Sequence, residues 1–494
     1  MERTMFKKPS KKQFIIRRVI LSSIATLAVI ILAAVTILFM LGYRLDSGNG
    51  RLEQGALLQF DSMPNGADVT VDDRYIGSRT PNKQTVIAGT HTVKMSKNGY
   101  EDWFRTLDLT AGTLTWLDYT RLVPKELPVT TVTDYETLSG LVISEDRKWA
   151  LAQEKVDMPI FQLVDLRSEE VGSESITIPA EAYSEPTTED VTHSFGITSW
   201  DSGSRYVLVK HMYDDKTEWL VVDTQNADET INVTRLLGVE FKNLKFAGTS
   251  GKILYGLATD GAIRKLDLSA GTISRAFITH VDSFKIFDNK IISYVGTDTT
   301  DVTKRVAGVY RDGDESAHVL HSTSSTDAVL MIATGRYFSK DYVAIAEGNT
   351  VTILRGDYPS SSNQDNSSLA KFATLELTGA VSALSISPDG DYVLAQSGES
   401  FKSYEIEHLR TDVGAMTLKS GTPASTLKWL DVAHLWSDDN GVLKMRDFNG
   451  INTYAIMDVA PGFDASLSQN GRFFYAVGKS DTGYHLQRVK MILS

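Results

Sequence analysis

The chain has 494 residues, of which 42% are hydrophobic, 9% aromatic and 23% charged, a globular composition that excludes wholesale disorder. Its net charge is −12, so it lacks the basic footprint that nucleic-acid binding requires. It has no Cys, which excludes disulfides, Cys-ligated zinc, iron–sulfur clusters and cysteine nucleophiles.

An uncharged apolar run covers residues 19–41, and as a helix rising about 1.5 Å per residue it spans the ~30 Å hydrocarbon core. The net charge is +6 over residues 1–18 and −18 over the rest of the chain. The positive-inside rule therefore predicts a basic cytoplasmic tail at residues 1–18 and a transmembrane signal anchor at residues 19–43. We expect a single-pass protein of the cell membrane, with the bulk of the chain extracytoplasmic.

A cleaved signal peptide is the alternative for this segment. Its apolar region is usually about 7–15 residues and precedes an A-x-A-like cleavage site, whereas this run is longer and leads into Gly42-Tyr43-Arg44. A buried helix of a soluble protein is disfavoured, because the run is long and follows a basic cluster. The missing Cys fits a bacterial-type exterior.

After a predicted linker at residues 44–56, short alternating strands are predicted between turns. They cover residues 57–60, 69–72, 74–77, 89–95, 103–109 and 113–119. The turns contain Pro64, Asn65 and Gly66, which suit tight turns and positive φ. The pattern predicts a small antiparallel β-sandwich.

These turn motifs resemble the PEGA domain family over residues 57–124. The resemblance rests on SMPNGADVTVDD at 62–73, IGSRTP at 76–81 and AGTHTVKMSKNGY at 88–100. The naming tetrapeptide of the family stands here as Pro64-Asn65-Gly66-Ala67, with Asn in place of Glu. The resemblance implies an extracytoplasmic surface module tethered to an envelope component, with no catalytic residues to transfer.

A hairpin unit recurs through residues 127–494, with eight turn-centred matches between residues 144 and 468 at a mean spacing of about 46 residues. Periods of this size are typical of four-stranded β-propeller blades. The predicted fourth strands include residues 231–236 and 272–278. The last unit lacks a fourth strand, which residues 127–133 would supply and so close the ring. We predict eight blades, with seven as the alternative. Ser387-Pro388-Asp389-Gly390 resembles turns of WD40-like and TolB-type propellers, which supports the architecture alone.

Long polar insertions are predicted to form loops on the propeller faces, where ligands usually bind. They cover residues 179–192, 296–304, 322–327 and 358–368.

Several short motifs resemble catalytic or metal sites. His318 and His321 lie three apart on a predicted strand, and this spacing points them to different faces. The segment 199–203 has the S-x-D-x-G core of an Asp-box, a structural turn of sialidase-like propellers, without a locatable Arg triad. Ser425 and Lys428 have S-x-x-K spacing, but the K-S-G at 419–421 precedes them, which reverses the order in penicillin-recognising enzymes.

Two acidic turns have oxygen donors of the kind that Ca²⁺ prefers, at Asp312-Gly313-Asp314 and at residues 438–441. Hairpin turns with solvated charges are the favoured interpretation of both. Carboxylates are plentiful, yet none is singled out as a glycosidase pair. We therefore predict no catalytic, cofactor-binding or metal residues, and no cofactor.

The fold class expected is all-β outside the membrane: one N-terminal transmembrane helix, a PEGA-like sandwich and a propeller. The function expected is that of a membrane-anchored envelope protein that binds a cell-wall glycan, another surface polymer or a surface protein. The alternative is an extracytoplasmic carbohydrate-active hydrolase or lyase acting in the propeller pocket, and a third reading is a scaffold subunit. The lack of a catalytic constellation favours a non-enzyme, and the acidic charge predicts no nucleic-acid partner.

Overall fold

A computed structural model describes residues 11–40, 42–45, 52–186, 192–360, 368–419 and 423–493. The chain forms two compact units, Met1–Lys125 and Glu126–Ser494. Predictions for residues 1–10 of the tail, for residues 46–51 of the linker and for parts of two insertions (187–191 and 361–367) lie outside the described residues.

Helix α1 spans Lys11–Met40, and its Ile15–Met40 stretch is long and apolar enough to cross a membrane. Its hydroxyl groups bond within the helix. Ser22 donates to the carbonyl of Val19 at 2.9 Å, and Thr36 donates to that of Leu32 at 2.7 Å. These polar side chains are thus satisfied without water, as a lipid environment requires. The helix begins inside the region predicted as a tail.

The next part of the first unit is a sandwich of two four-stranded sheets. Its strands are β1 (Tyr43–Leu45), β2 (Leu52–Met63), β3 (Asp68–Val71), β4 (Arg74–Arg79), β5 (Asn82–Ile87), β6 (Gly89–Ser96), β7 (Trp103–Leu109) and β8 (Leu114–Arg121). One sheet holds β1, β2, β5 and β8, and the other has the order β4-β3-β6-β7. Phe60, Met95 and Trp103 are buried between the sheets.

The prediction for the sandwich is wrong in two respects. Strand β5 was not predicted, because its side chains are mostly polar and half-exposed; its pairing with β2 makes it a strand. Strand β8 runs parallel to β2, so the sandwich is not purely antiparallel. The chain reaches β8 from β7 of the opposite sheet, and this crossover permits a parallel pair.

Within the described part of Glu126–Ser494, eight four-stranded antiparallel sheets follow one another, here numbered blades 1 to 8. Strand β9 (Thr130–Tyr135) precedes them. Blade 1 consists of β10 (Gly140–Ile143), β11 (Trp149–Gln153), β12 (Ile160–Asp165) and β13 (Ser173–Thr177), and blade 2 consists of β14 (Ser194–Trp200), β15 (Tyr206–Tyr213), β16 (Lys216–Asp223) and β17 (Ile231–Asn232). Blade 3 consists of β18 (Phe241–Phe246), β19 (Ile253–Ala258), β20 (Ile263–Asp267) and β21 (Thr272–Ile273), and blade 4 consists of β22 (Val281–Phe287), β23 (Ile291–Thr297), β24 (Arg305–Arg311) and β25 (His318–Ser322).

Blades 5 to 8 complete this β-propeller. Blade 5 consists of β26 (Leu330–Tyr337), β27 (Lys340–Glu347), β28 (Thr350–Gly356) and β29 (Ala370–Glu376), and blade 6 consists of β30 (Ala383–Ile386), β31 (Tyr392–Ser397), β32 (Ser400–Glu405) and β33 (Arg410–Ala415). Blade 7 consists of β34 (Lys428–Trp429), β35 (His434–Asp438), β36 (Val442–Asp447) and β37 (Thr453–Asp458). Blade 8 consists of β38 (Ser466–Leu467), β39 (Phe473–Ser480) and β40 (Gly483–Lys490), with β9 as its fourth strand.

The closing strand comes from the N-terminal side of the propeller, as predicted. Strand β9 pairs antiparallel with β40, with Tyr135 opposite Tyr484 and Thr133 opposite Leu486. The two ends of the unit are thereby held in one sheet, which satisfies the outer edge of β40.

One predicted outer strand is partly helical. Residues 231–236 were predicted as a strand, but only Ile231 and Asn232 pair with β16, and helix α2 (Val233–Leu237) follows. The Asn232 side chain accepts from the Arg235 amide at 2.9 Å, and Gly238 ends the helix at φ 66°. An N-cap and a left-handed glycine stop outweigh the β-propensity of these residues. Likewise, β21 covers only the start of a strand predicted over residues 272–278.

The propeller core lies between neighbouring blades. In one such layer Phe161 of blade 1 packs with Phe195 and Val207 of blade 2. Short connections and this repeated packing fix the first strands of successive blades side by side, which sets the shape of the space that they enclose.

Candidate functional site

A cavity of about 520 Å³ lies at the propeller axis. It is lined by the first strands of four successive blades, β22, β26, β30 and β34, together with residues of β23 and β31. A space that touches the first strands of four blades must lie on the side where these strands face one another. Its size falls within the range of about 300–1,000 Å³ that is usual for ligand pockets.

The lining combines apolar walls with hydroxyl groups. The apolar side chains are Phe284, Val295, Leu330, Met331, Ile332, Ala383, Leu384, Leu394, Leu427 and Trp429. The hydroxyl groups belong to Ser283, Ser293, Ser382, Ser385 and Thr426. Among these described lining residues, the charged ones are Lys285 and Lys428, and no Asp or Glu is present.

The sheet register places a lysine and a serine together on the wall. Lys285 of β22 lies directly opposite Ser293 of β23, and both line the cavity. The hydroxyl of Ser293 is buried and has no hydrogen-bond partner among the described residues. On the neighbouring wall the Trp429 indole donates to the Ser385 hydroxyl at 3.0 Å, which fixes the ring.

A third lysine lies near this wall. Lys245 of β18 is close enough to Lys285 for their charges to interact. Burial lowers the pKa of Lys285, and burial followed by repulsion from Lys285 lowers the pKa of Lys245. Lys285 is nevertheless exposed to the solvent in the cavity, so its ammonium group is accessible.

Three of the four predicted insertions lie at the cavity end of the ring. The described parts of these insertions, residues 179–186, 192, 296–304 and 322–327, adjoin the strand ends where the first strand of each blade begins. The cavity touches β26 and β30 at those same beginnings. Residues 358–360 and 368 of the fourth insertion adjoin β28 and β29 at the opposite end, because adjacent antiparallel strands alternate in direction.

The motifs singled out in the sequence lie away from the cavity or serve local turns. His318 is 3.8 Å from Asp314, and His321 is 2.7 Å from Glu347, so the two imidazoles have different partners. No group of three or more His, Cys, Asp or Glu suited to a metal ion occurs among the residues that the structure describes.

The Asp-box core is a structural turn. The buried Asp201 carboxylate accepts from the amides of Arg205 and Tyr206, each at 2.8 Å. Of the S-x-x-K pair, only Lys428 lines the cavity, and residues 420–421 of the K-S-G lie outside the described residues.

Both acidic turns use their carboxylates internally. Asp312 forms an ion pair with Lys265 at 2.7 Å. In the second turn Asp439 is buried and pairs with Arg446 at 2.9 Å, while Asp438 accepts from the Gly441 amide at 2.6 Å.

A second cluster of titratable groups lies in blade 2, and we call Glu185, His193, His211 and Glu218 the histidine–glutamate cluster. His193 Nε2 is 2.8 Å from Glu185, and His193 Nδ1 is 2.9 Å from His211 Nε2. His211 is fully buried, with its Nδ1 3.4 Å from Glu218. All four ring nitrogens thus have a partner.

Glu218 is the anchor of this cluster. Burial would raise its pKa, but hydrogen bonds from His211, Ser184 and Asn232 outweigh that effect and hold the pKa at about 2. The aromatic ring of Phe195 stacks on His211 at 4.4 Å. The cluster is closed and internally satisfied, so it is typical of a structural element.

A comparison with known protein families agrees with the prediction for the sandwich domain. Residues 56–124 match the family model of the PEGA domain. The chain therefore contains a PEGA domain. No curated protein sequence matches the chain significantly.

Three solved structures are similar to the chain at low identity. The β-propeller domain of Cps50 (Swd1) from Myceliophteria thermophila has a TM-score of 0.41 at 8% identity, covering 73% of this chain and 99% of its own. An oligogalacturonate lyase from Vibrio parahaemolyticus has a TM-score of 0.38 at 9% identity, covering 74% and 98%. U3-55K has a TM-score of 0.39 at 11% identity, covering 73% and 98%.

Lys245, Lys285 and Lys428 were not predicted as site residues, although the sequence contains a signal. Each lies between two large apolar residues in the first strand of a blade, as Leu244-Lys245-Phe246, Phe284-Lys285-Ile286 and Leu427-Lys428-Trp429. A lysine recurring at this place in a repeat, where apolar residues are expected, indicates an inward-facing charge.

Proposed function

We propose that this protein is a membrane-anchored, extracytoplasmic binding module of the cell envelope, and that its propeller holds a group of a surface polymer in the axial cavity. The observation that carries the proposal is the cavity itself, which is ligand-sized and combines apolar walls, a fixed indole and hydroxyl groups. The PEGA domain and the propeller are both compatible with a binding role outside the cytoplasm.

Binding is favoured over catalysis by the composition of the wall. A glycosidase needs two carboxyl groups about 5–10 Å apart on either side of the scissile bond. The described lining residues contain no carboxyl group. We therefore propose retention of a ligand rather than its cleavage.

The test is sedimentation of the full-length protein, reconstituted in lipid nanodiscs, with delipidated wall material from its own source. We expect saturable pelleting and no released sugar. Ser283→Trp would fill the cavity from an exposed lining position, and we expect it to abolish pelleting. Thr177→Trp, at an exposed position of the outer strand β13, is the matched control.

Pelleting that Ser283→Trp leaves unchanged would contradict the assignment of the cavity as the binding site. Release of sugar or of an unsaturated sugar would instead support the hydrolase or lyase alternative.

The proposed orientation has the N-terminus in the cytoplasm, and the charge asymmetry between residues 1–18 and the rest of the chain supports it. Because the chain has no Cys, single cysteines are specific labels. We expect Thr110→Cys, at an exposed position of the PEGA domain, to react with a membrane-impermeant maleimide on intact cells. Ser10→Cys should react only after lysis, and the reverse pattern would overturn the orientation.

A further inference from the structure

Among the described residues, Lys245 and Lys285 have no counter-ion, whereas Lys428 has one. Lys428 pairs with Asp464 across blades 7 and 8. For Lys245 and Lys285, no carboxylate lies within 4.0 Å among the described residues. This contrasts with buried Arg446 elsewhere in the propeller, which has Asp439 at 2.9 Å.

Leaving these cations unpaired costs folding free energy. Surrounding protein removes part of their hydration, and two like charges that lie near each other repel. The pKa values of both lysines are lowered for the same reason, because burial disfavours the charged form of each and repulsion from Lys285 adds to this effect at Lys245. An anion brought into the cavity removes this cost, because it supplies the missing charge partner for both groups.

The surroundings of Lys285 are suited to an anion in other ways. The hydroxyl of Ser293, directly across the ladder, is buried without a partner and can donate to an incoming oxygen. No lining carboxylate competes for the ammonium group among the described residues. A positive cavity in a chain of net charge −12 also focuses the field locally, and this selects the sign of the ligand.

We propose that the axial cavity binds an anionic group, a carboxylate or a phosphate, at Lys285, with Lys245 adding positive charge nearby, Ser293 as a hydrogen-bond donor and Trp429 forming an apolar wall. This inference rests on the proposed function and names the ligand chemistry of the same cavity. The shared chemistry is borne either by an acidic wall polymer or by a free small anion, and the experiment separates the two.

Calorimetric titration of the full-length protein in nanodiscs tests the small-anion source, with glucuronate and inorganic phosphate as probes and glucose as the neutral control. Wall material tests the polymer source in three forms: untreated, stripped of phosphodiester-linked polymer by hydrofluoric acid, or reduced at its carboxyl groups. We expect binding of the anionic probes, loss of binding after one of the two treatments, and weaker binding as salt rises.

The variants are Lys285→Gln and Lys245→Gln, with Lys290→Gln at an exposed turn of the same blade as matched control. We expect each cavity variant to weaken anion binding about tenfold or more, Lys285→Arg to restore most of it, and Lys290→Gln to change it less than about twofold. Either cavity variant suffices if the other fails to fold, which the thermal unfolding midpoint monitors.

The outcomes separate this inference from the proposed function. If Ser283→Trp abolishes pelleting while the lysine variants bind as the wild type does, the cavity binds a neutral ligand and the anion inference is wrong. If glucose binds as tightly as glucuronate, the inference is also wrong. If Ser283→Trp has no effect either, both proposals fall. Binding of the free anions with no effect of either wall treatment would assign a small-molecule ligand.

Discussion

The axial cavity and the histidine–glutamate cluster of blade 2 both contain ionisable side chains, and they differ in whether those side chains have partners. In the cluster every imidazole nitrogen faces a partner, and Glu218 accepts hydrogen bonds from the side chains of four residues, Ser184, His211, Tyr213 and Asn232. At the axis, Lys245 and Lys285 face each other's charge and the solvent. The first arrangement stabilises the fold by itself, whereas the second is complete only with a ligand.

The comparison teaches how to separate structural from functional charge. Removing one partner from a closed, buried network leaves an unpaired group and costs stability. Removing one of two repelling cations relieves a cost and leaves the fold intact. Stability and binding should therefore respond in opposite ways to substitutions in the two regions.

The largest effect is expected at Glu218. Glu218→Leu leaves His211, Ser184 and Asn232 without their acceptor, so we expect a loss of about 3–5 kcal/mol in the free energy of unfolding. Glu218→Gln retains an acceptor and should lose about 1–3 kcal/mol. Urea unfolding measures both, and anion binding at the axis should stay unchanged. An unaltered unfolding midpoint in both variants would show that the cluster does not stabilise blade 2.

Acid should act through the same residue. The folded pKa of Glu218 is about 2 against an ordinary value of 4.5, so its stabilisation is complete above about pH 4.5 and disappears as the pH falls towards 2. The wild type should lose stability over this window more steeply than Glu218→Gln does. Parallel unfolding curves of the two proteins across the window would contradict this reading.

A smaller effect of opposite sign is expected at Asp391 in blade 6. Burial, and then the nearby carboxylates of Glu405, Asp389 and Glu407, raise its pKa to about 7 against the hydrogen bond from the Glu407 amide. Since the folded state holds this proton more tightly than the unfolded state, stability falls as pH rises from about 4 to 7. Asp391→Asn should be more stable than the wild type by about 1–3 kcal/mol at pH 8 and equal to it near pH 4. Thermal unfolding at the two pH values checks this; equal midpoints at pH 8 would refute it.

The smallest change in stability is expected at the axis. Lys285→Gln relieves the repulsion of Lys245, so we expect the unfolding midpoint to stay the same or rise, by less than about 1 kcal/mol in free energy. Differential scanning calorimetry of the ligand-free protein measures it. A clear destabilisation would mean that Lys285 stabilises the fold as Glu218 does, and it would contradict the distinction between the two regions.

Local sequence signals predicted much of the fold. The sandwich was indicated by turn residues such as Pro64, Asn65 and Gly66, and the propeller by the recurrence of hairpins. The closing strand was indicated because the last hairpin unit lacks a fourth strand of its own. These features depend on neighbours in the chain or on a repeated period. Strand β5 was not predicted, because its alternation of apolar and polar residues is weak and its pairing with β2 is not local. Helix α2 was not predicted, because the N-cap provided by the Asn232 side chain outweighs the β-propensity of the residues that follow.

By itself, the sequence determined the apolar N-terminal segment, the PEGA domain and an all-β chain of repeated blades, because periodicity and turn chemistry are written in consecutive residues. Only the tertiary structure decided which charges are paired. Lys285 meets Ser293 through sheet register, and Lys245 comes near it from the preceding blade. No Asp or Glu is among the described residues that line the cavity. A binding site of this kind is made by blades that are about 46 residues apart in sequence on average, and its charge balance exists only once the ring has closed.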